Sequence, residues 1–402
     1  MKKKIISDVL LNILALAIST VILQLIIYPT ISANVSISSF GTILTIMGGV
    51  NVISVVLGGS LNNAQLVNQK IYKEEKYFYG DFKFMARIYF LIFLIMYVVA
   101  MIFPLINLDL LGKIQLLILI LFTTLRAYLP VFWRIELNYK LIMWHSVFTA
   151  TGYIIGSLIF SHTKDNWLIT FLVGEIFSFL FLLKNTQFLS YKVTKSQNFK
   201  KINRDFLNLF SSNIVANILT YFDRFLLQAL LGPTEVSIYF AASIFGKLSS
   251  MVLQPISGVF LSYLSRENSD KKKKYYLYFL LASVGFGIML FCISLIFSPI
   301  FVNILYRNLY IEAKQYMTLA NLSTIILITG SLLQPVLLRF SNLVWQNIIQ
   351  LVYAASFVIL GYLLMKSYGM MGFVIASLVS NSIRFILFVI VGYFSIWRNE
   401  DD

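Results

Sequence analysis

Long apolar stretches separated by short polar loops run through almost the whole sequence and leave little chain for anything else. About 20 consecutive apolar residues are enough for a helix to cross the hydrocarbon core, where only helices and closed barrels satisfy every backbone polar group. Reading apolar runs against charged and Pro/Gly breaks places spans near 7–28, 37–66, 83–106, 110–134, 141–161, 166–189, 206–231, 236–264, 275–298, 316–338, 344–365 and 370–396. The fold class expected is therefore an all-α polytopic membrane protein with 12 transmembrane helices. With 59% hydrophobic residues in 402, most of the length is committed to spanning, and function is confined to the spaces between helices and to short loops.

The formal net charge of +15 does not point to nucleic acid, because the basic residues cluster in loops flanking the apolar runs, where the positive-inside rule places them. With the N-terminus inside, the inside segments hold Lys2 to Lys4, Lys70 to Arg87, Arg134 and Lys140, Lys184 to Arg204, Arg266 to Lys274, Arg339 and Arg398. The outside loops hold only Lys113, Lys164, Arg307, Lys314 and Lys366. This asymmetry predicts an even number of spans and both termini cytoplasmic. The first apolar run continues to about Tyr28 without a small-residue cleavage site, so it reads as a retained helix rather than a signal peptide. The one cysteine, Cys292, lies inside a span and has no partner for a disulfide; no Cys/His cluster suggests a metal, and no cofactor is expected.

The longest hydrophilic segment divides the chain into an N-terminal six-helix bundle at 1–190, a cytoplasmic linker at 191–205 and a C-terminal six-helix bundle at 206–402. The halves echo each other, since Pro130 to Arg134 and Pro335 to Arg339 share a Pro-Val-x-x-Arg pattern at the end of the fourth span of each half. A duplicated unit with an even number of spans enters the membrane the same way round each time, which predicts parallel repeats about an axis along the membrane normal.

A charge inside lipid costs about 2.5–3.5 kcal/mol on insertion scales and usually faces a cavity or a partner. The spans contain four cations, Arg126, Arg224, Lys247 and Arg384, and two carboxylates, Glu175 and Asp223. If several share one chamber, it is cationic on balance and suits a phosphate-bearing or acidic substrate, which Arg grips in a bidentate way. The other reading is that each is paired locally or reaches an interface. Glu175 and Asp223 are the candidates for proton or cation coupling, or else counter-ions to a nearby Arg. Pro130, Pro255 and Pro335 remove backbone hydrogen bonds and bend their helices, which makes them candidate hinges. Catalytic signals are nearly absent: the two histidines, His145 and His162, lie at opposite ends of one span, and no large loop carries a positioned acid or base. The chain is not expected to be an enzyme.

Two segments go beyond composition. Residues 28–66 read Tyr-Pro-Thr-Ile-Ser, then Ser-Phe-Gly-Thr-Ile, then Gly-Gly-Ser-Leu-Asn-Asn-Ala-Gln-Leu. Residues 217–264 contain Asn-Ile-Leu-Thr-Tyr-Phe-Asp-Arg-Phe-Leu-Leu, Leu-Gly-Pro-Thr-Glu-Val-Ser-Ile-Tyr and then Ala-Ala-Ser-Ile-Phe. The chain resembles the Wzx-type polysaccharide-biosynthesis flippases, within the wider group of multidrug/toxin exporters and lipid II flippases. The resemblance implies two six-helix bundles around a central cavity that opens alternately to each side of the bacterial cytoplasmic membrane. It implies transport of an undecaprenyl-pyrophosphate-linked oligosaccharide repeat unit for capsule, exopolysaccharide or O-antigen assembly, alongside polymerase and glycosyltransferase partners of the same pathway. By that resemblance Arg224 and then Lys247 meet the pyrophosphate or acidic sugars, while Arg126 and Arg384 rest on depth alone. The first span has no Arg such as lipid II flippases use, and two further helices are missing, which disfavours lipid II. A multidrug/toxin exporter is the main alternative, although cationic drugs prefer acidic cavities. A membrane polymerase or ligase is the other, and it would need a large catalytic outer loop.

Overall fold

The computed structural model describes residues 2–72, 75–102, 108–250, 272–342 and 344–398, together with Leu253, Ser257 and Leu264. Among these the regular structure is helical: α1 (Lys2–Ile22), α2 (Tyr28–Asn34), α3 (Ile37–Ser54), α4 (Ser60–Asn68), α5 (Glu75–Ile102), α6 (Leu110–Tyr128), α7 (Val131–Ile135), α8 (Tyr139–Thr163), α9 (Leu168–Asn185), α10 (Phe199–Thr220), α11 (Phe222–Leu230), α12 (Pro233–Ala242), α13 (Lys272–Leu305), α14 (Tyr310–Gly330), α15 (Gln334–Phe340) and α16 (Val344–Gly392). π-helical turns join α1 to α2 and α3 to α4, and another follows α16 at Tyr393–Arg398.

Nine helical stretches among the described residues are long and apolar enough to cross a membrane. They fall on the first six expected spans and on the ninth and tenth, and the last stretch, Val344–Ile396, holds both the eleventh and the twelfth. That stretch breaks at Gly369, whose backbone (φ 55°, ψ −134°) lies where a side chain would be strained. The expected spans at 206–231 and 236–264 fall on α10 to α12 and on residues outside the described ones. α10 opens with Lys200, Lys201, Arg204 and Asp205 and carries Asn213 and Asn217 further on, so it is too polar to cross on its own account. The protein is an all-α, multi-pass membrane protein.

Packing separates the chain into two compact units, residues 1–34 with 46–223 and residues 35–45 with 224–402. In the first, α8 and α9 approach closely because small residues meet. A Cβ on Gly152 would lie 2.8 Å from the Gly174 Cα, and one on Gly156 would lie 2.6 Å from the Thr170 carbonyl oxygen. Such contacts replace the hydrophobic driving force that lipid removes. The segment after α9 is tied to the start of α5. Lys83 Nζ donates to the Leu189 and Tyr191 carbonyls at 2.8 and 2.7 Å, and the Ser196 amide and the Tyr72 hydroxyl donate to Asp81 at 2.7 and 2.8 Å. Burial and the neighbouring Asp81 carboxylate push the Tyr72 hydroxyl well above its ordinary pKa.

The second unit is held by a polar ladder through its core. Asn321 donates to Ser298 Oγ at 2.8 Å and accepts from the Gly246 amide at 3.0 Å. Asn381 donates to Ser323 Oγ at 2.9 Å, Ser323 pairs with Ser377 at 2.8 Å, and Ser377 pairs with the Tyr239 hydroxyl at 3.2 Å. In lipid each polar group needs such a partner, so the ladder fixes the rotation of the helices that carry it.

The repeated Pro-Val-x-x-Arg segments adopt the same local form in their own units. Pro130 caps the start of α7 after a break in the helix at 129–130, and Pro335 sits in the first turn of α15 after a break at 331–333. A proline is tolerated at a helix start because its missing N–H is unpaired there anyway. The following Val131 and Val336 are fully buried, while the closing arginines donate to Asn62 and to the Leu264 carbonyl respectively. Pro130 and Pro335 thus interrupt helices rather than bend continuous ones, and Pro255 lies outside the described residues.

Candidate functional site

The two motif segments that stand out in the sequence, Ser39 to Ile43 and Leu231 to Tyr239, pack against each other in the second unit. Gly41 lies so near the Pro233 carbonyl that a Cβ would come within 1.7 Å of its oxygen, and Ser237 Oγ donates to the Ile37 carbonyl at 2.6 Å. Gly232 (φ 111°) makes the turn from α11 into α12 that a side chain would resist. Two glycines are required here for different reasons, one for contact and one for conformation. Their joint effect is to seat Phe40, fully buried, edge-on to Phe240 with ring centroids 5.9 Å apart, and both rings contact Tyr306.

Onto this aromatic nest the structure brings two of the expected cations. The Arg224 guanidinium carbon lies 5.5 Å from the centre of the Phe240 ring, and its Nη1 donates to the Leu44 carbonyl at 2.9 Å. Lys247 Nζ lies 5.4 Å from the same ring and 5.3 Å from that of Tyr239. Each cation–π contact is worth about 0.5–2 kcal/mol, depending on how dry it is. Lys247 is seven and eight residues beyond these rings. The turn at Ser243 that ends α12, together with the tilt of helical side chains toward the N-terminus, returns its ammonium to them. Asp223 opens α11 beside Arg224, where a carboxylate favours the positive end of the helix.

Arg384, in the same unit, is flanked by Tyr353 and Phe388 at 5.2 and 5.4 Å from the ring centres, and its Nε is buried without a hydrogen-bond partner among the described residues. In the first unit the structure brings Arg126 and Glu175 together. Arg126 Nε donates to both carboxylate oxygens at 2.9 and 3.0 Å, and the Tyr153 hydroxyl donates to Oε1 at 2.5 Å. Glu175 is 1% exposed, whereas the Arg126 side chain is 28% exposed. The carboxylate is thus engaged on both oxygens, while the Arg126 side chain as a whole is only partly buried. One turn along α9, Ser178 hydrogen-bonds the buried His145 Nε2 at 2.7 Å. Among the described residues no three His, Cys, Asp or Glu side chains gather to hold a metal.

What sequence reasoning missed is the aromatic partner under each of three cations. One of them was legible: Arg384 and Phe388 are four residues apart on one helix and so share a face. Phe240 and Tyr239 gave no such signal, because a helix break separates them from Lys247.

Sequence comparison finds no matching family model and no matching curated protein. Comparison of folds does find relatives. A multidrug resistance MATE family transporter of the MOP superfamily, in an inward-facing conformation, superposes with a TM-score of 0.75 at 13% identity over 97% of this chain and 99% of that one. The outward-facing conformation of such a transporter gives 0.65 at 14% identity, covering 98% and 96%. The lipid II flippase MurJ, inward closed, gives 0.71 at 20% identity, covering 97% and 87%. The chain has the fold that these membrane transporters share.

Proposed function

We propose that the protein is a Wzx-type flippase of the bacterial cytoplasmic membrane, with both termini cytoplasmic, that moves undecaprenyl-pyrophosphate-linked oligosaccharide repeat units by alternating access, without catalysis. The single observation that carries this reading is the convergence of Arg224 and Lys247 on Phe240. Two cations on one ring, in a helical protein set in lipid, offer a phosphate-bearing head a doubly positive contact whose apolar floor weakens competition from water. Arg126 and Arg384 are further contacts for the anionic substrate on this reading, Glu175 and Asp223 are the groups for ion coupling, and the breaks at Pro130 and Pro335, with Pro255, supply hinges. The repeat is read as two six-helix bundles joined through 191–205.

The fold relatives include both lipid flippase and multidrug exporter. A drug cation calls for an acidic cavity, whereas the cations Arg126, Arg224, Lys247 and Arg384 outnumber the carboxylates Glu175 and Asp223 in the spans, which favours the flippase. The test is polymer export in a strain lacking the native flippase. Arg224→Ala and Lys247→Ala should each abolish export at unchanged protein level; full export by both would remove them from the site.

A further inference from the structure

The second unit carries a groove that the transport reading does not use. A cavity of about 570 Å³ lies between the start of α13 and the end of α16, lined by Tyr276, Leu277, Leu280, Ile390, Tyr393 and Phe394. Its floor is constructed rather than incidental. The Tyr276 ring fits against Gly392, where a Cβ would come within 2.2 Å of it, and the Tyr276 hydroxyl donates to the Val389 carbonyl at 2.8 Å. The π-helical turn that begins at Tyr393 widens the backbone at the groove, and such turns recur at functional sites. Leu277, Ile390 and Phe394 stay 41–49% exposed on its walls.

Charge sits at one end of this groove. Lys272 and Lys273 are each four residues before Tyr276 and Leu277, so they share the groove's helix face, whereas Lys274 is turned onto Tyr278, 5.6 Å from the ring centre. The sequence of α13 contains no carboxylate. An apolar slot beneath two lysines, rimmed by tyrosines at an end of a spanning helix, matches one amphiphile in charge and polarity: an acyl chain topped by an anionic phosphate. The acidic residues near α13 in sequence and at the end of the chain, Glu267, Asp270 and Glu400 to Asp402, bring negative charge but nothing apolar to fill the slot.

We infer that this groove is a binding site for an anionic phospholipid of the surrounding membrane, its acyl chain against Leu277, Leu280 and Ile390 and its phosphate at Lys272 and Lys273. The inference is independent of the transported substrate. The test is native mass spectrometry of the purified full chain titrated with phosphatidylglycerol and, separately, phosphatidylcholine. The expected result is at least tenfold tighter phosphatidylglycerol binding. Lys272→Gln with Lys273→Gln should erase that preference, about fivefold for each lysine, whereas Lys274→Gln and a chain ending at Arg398 should keep it. Ile390→Trp, which fills the slot from an exposed position, should weaken both lipids. Equal binding of the two lipids by the wild type, preference retained by the double lysine variant, preference lost in Lys274→Gln or the shortened chain, or undiminished lipid binding by Ile390→Trp would each overturn the assignment.

Discussion

Glu175→Gln isolates what the buried ion pair of the first unit contributes. The substitution keeps the side chain's shape and an acceptor for Tyr153 but removes the charge facing Arg126 Nε, which lies 2.9 and 3.0 Å from the two oxygens. Breaking a buried pair from one side costs about 3–5 kcal/mol, because the remaining ion keeps its desolvation penalty without its partner. The Arg126 side chain keeps 28% exposure, so its desolvation is incomplete, which puts the expected loss near the lower end of that range, about 3 kcal/mol. For a unit of this size, that corresponds to a fall in melting temperature on the order of 10 °C, read by thermal unfolding of the detergent-solubilised protein. The double variant Arg126→Met, Glu175→Met should recover most of the loss, since apolar replacements of similar volume are often neutral or stabilising. The reasoning is refuted if Glu175→Gln melts like wild type, or if the double variant is as unstable as the single one, because the two positions would then not be coupled.

Gly174→Ala would place a Cβ within 1.9 Å of the Tyr153 ring and so draw its hydroxyl away from Glu175; a loss of about 1–3 kcal/mol is expected in the same melting assay, and Tyr153→Phe should reproduce part of it. Asp81→Ala removes the acceptor for Tyr72 and the Ser196 amide, and limited proteolysis should then cut within 187–198 at protease levels that leave the wild type intact. Phe240→Leu keeps the volume apolar but removes the π face under Arg224 and Lys247; polymer export should fall by roughly fivefold, about 1 kcal/mol of lost hold, with protein level unchanged.

The spans were legible because hydropathy speaks directly to the hydrocarbon core, and eight of the expected segments reappear at nearly the same residues, with 344–365 and 370–396 read correctly as separate arms by their Gly369 break. α10 was harder, since its Asn and Ser residues dilute the apolar signal, and Asn213 Nδ2 in fact donates to Ser60 Oγ at 2.8 Å. The Pro-Val-x-x-Arg echo carried real geometric content, because proline at a helix start, a buried valine and an anchoring arginine recur in both units. At the site, residue type and depth picked out the charges but not their partners. That Glu175 meets Arg126, and that Arg224 and Lys247 meet on Phe240, depends on helix rotation and on two glycine-dependent approaches at Gly41 and Gly174, which periodicity does not encode.

Translocation of a polyprenyl-pyrophosphate-linked oligosaccharide by the purified protein in liposomes, followed as the fraction of labelled glycan newly accessible on the opposite leaflet, puts the central claim to its sharpest test. Wild-type protein should move the substrate, and a variant carrying Arg224→Gln and Lys247→Gln, folded and inserted as judged by its melting curve, should not. Equal rates in the two preparations would contradict the assignment of these cations to the lipid-linked head.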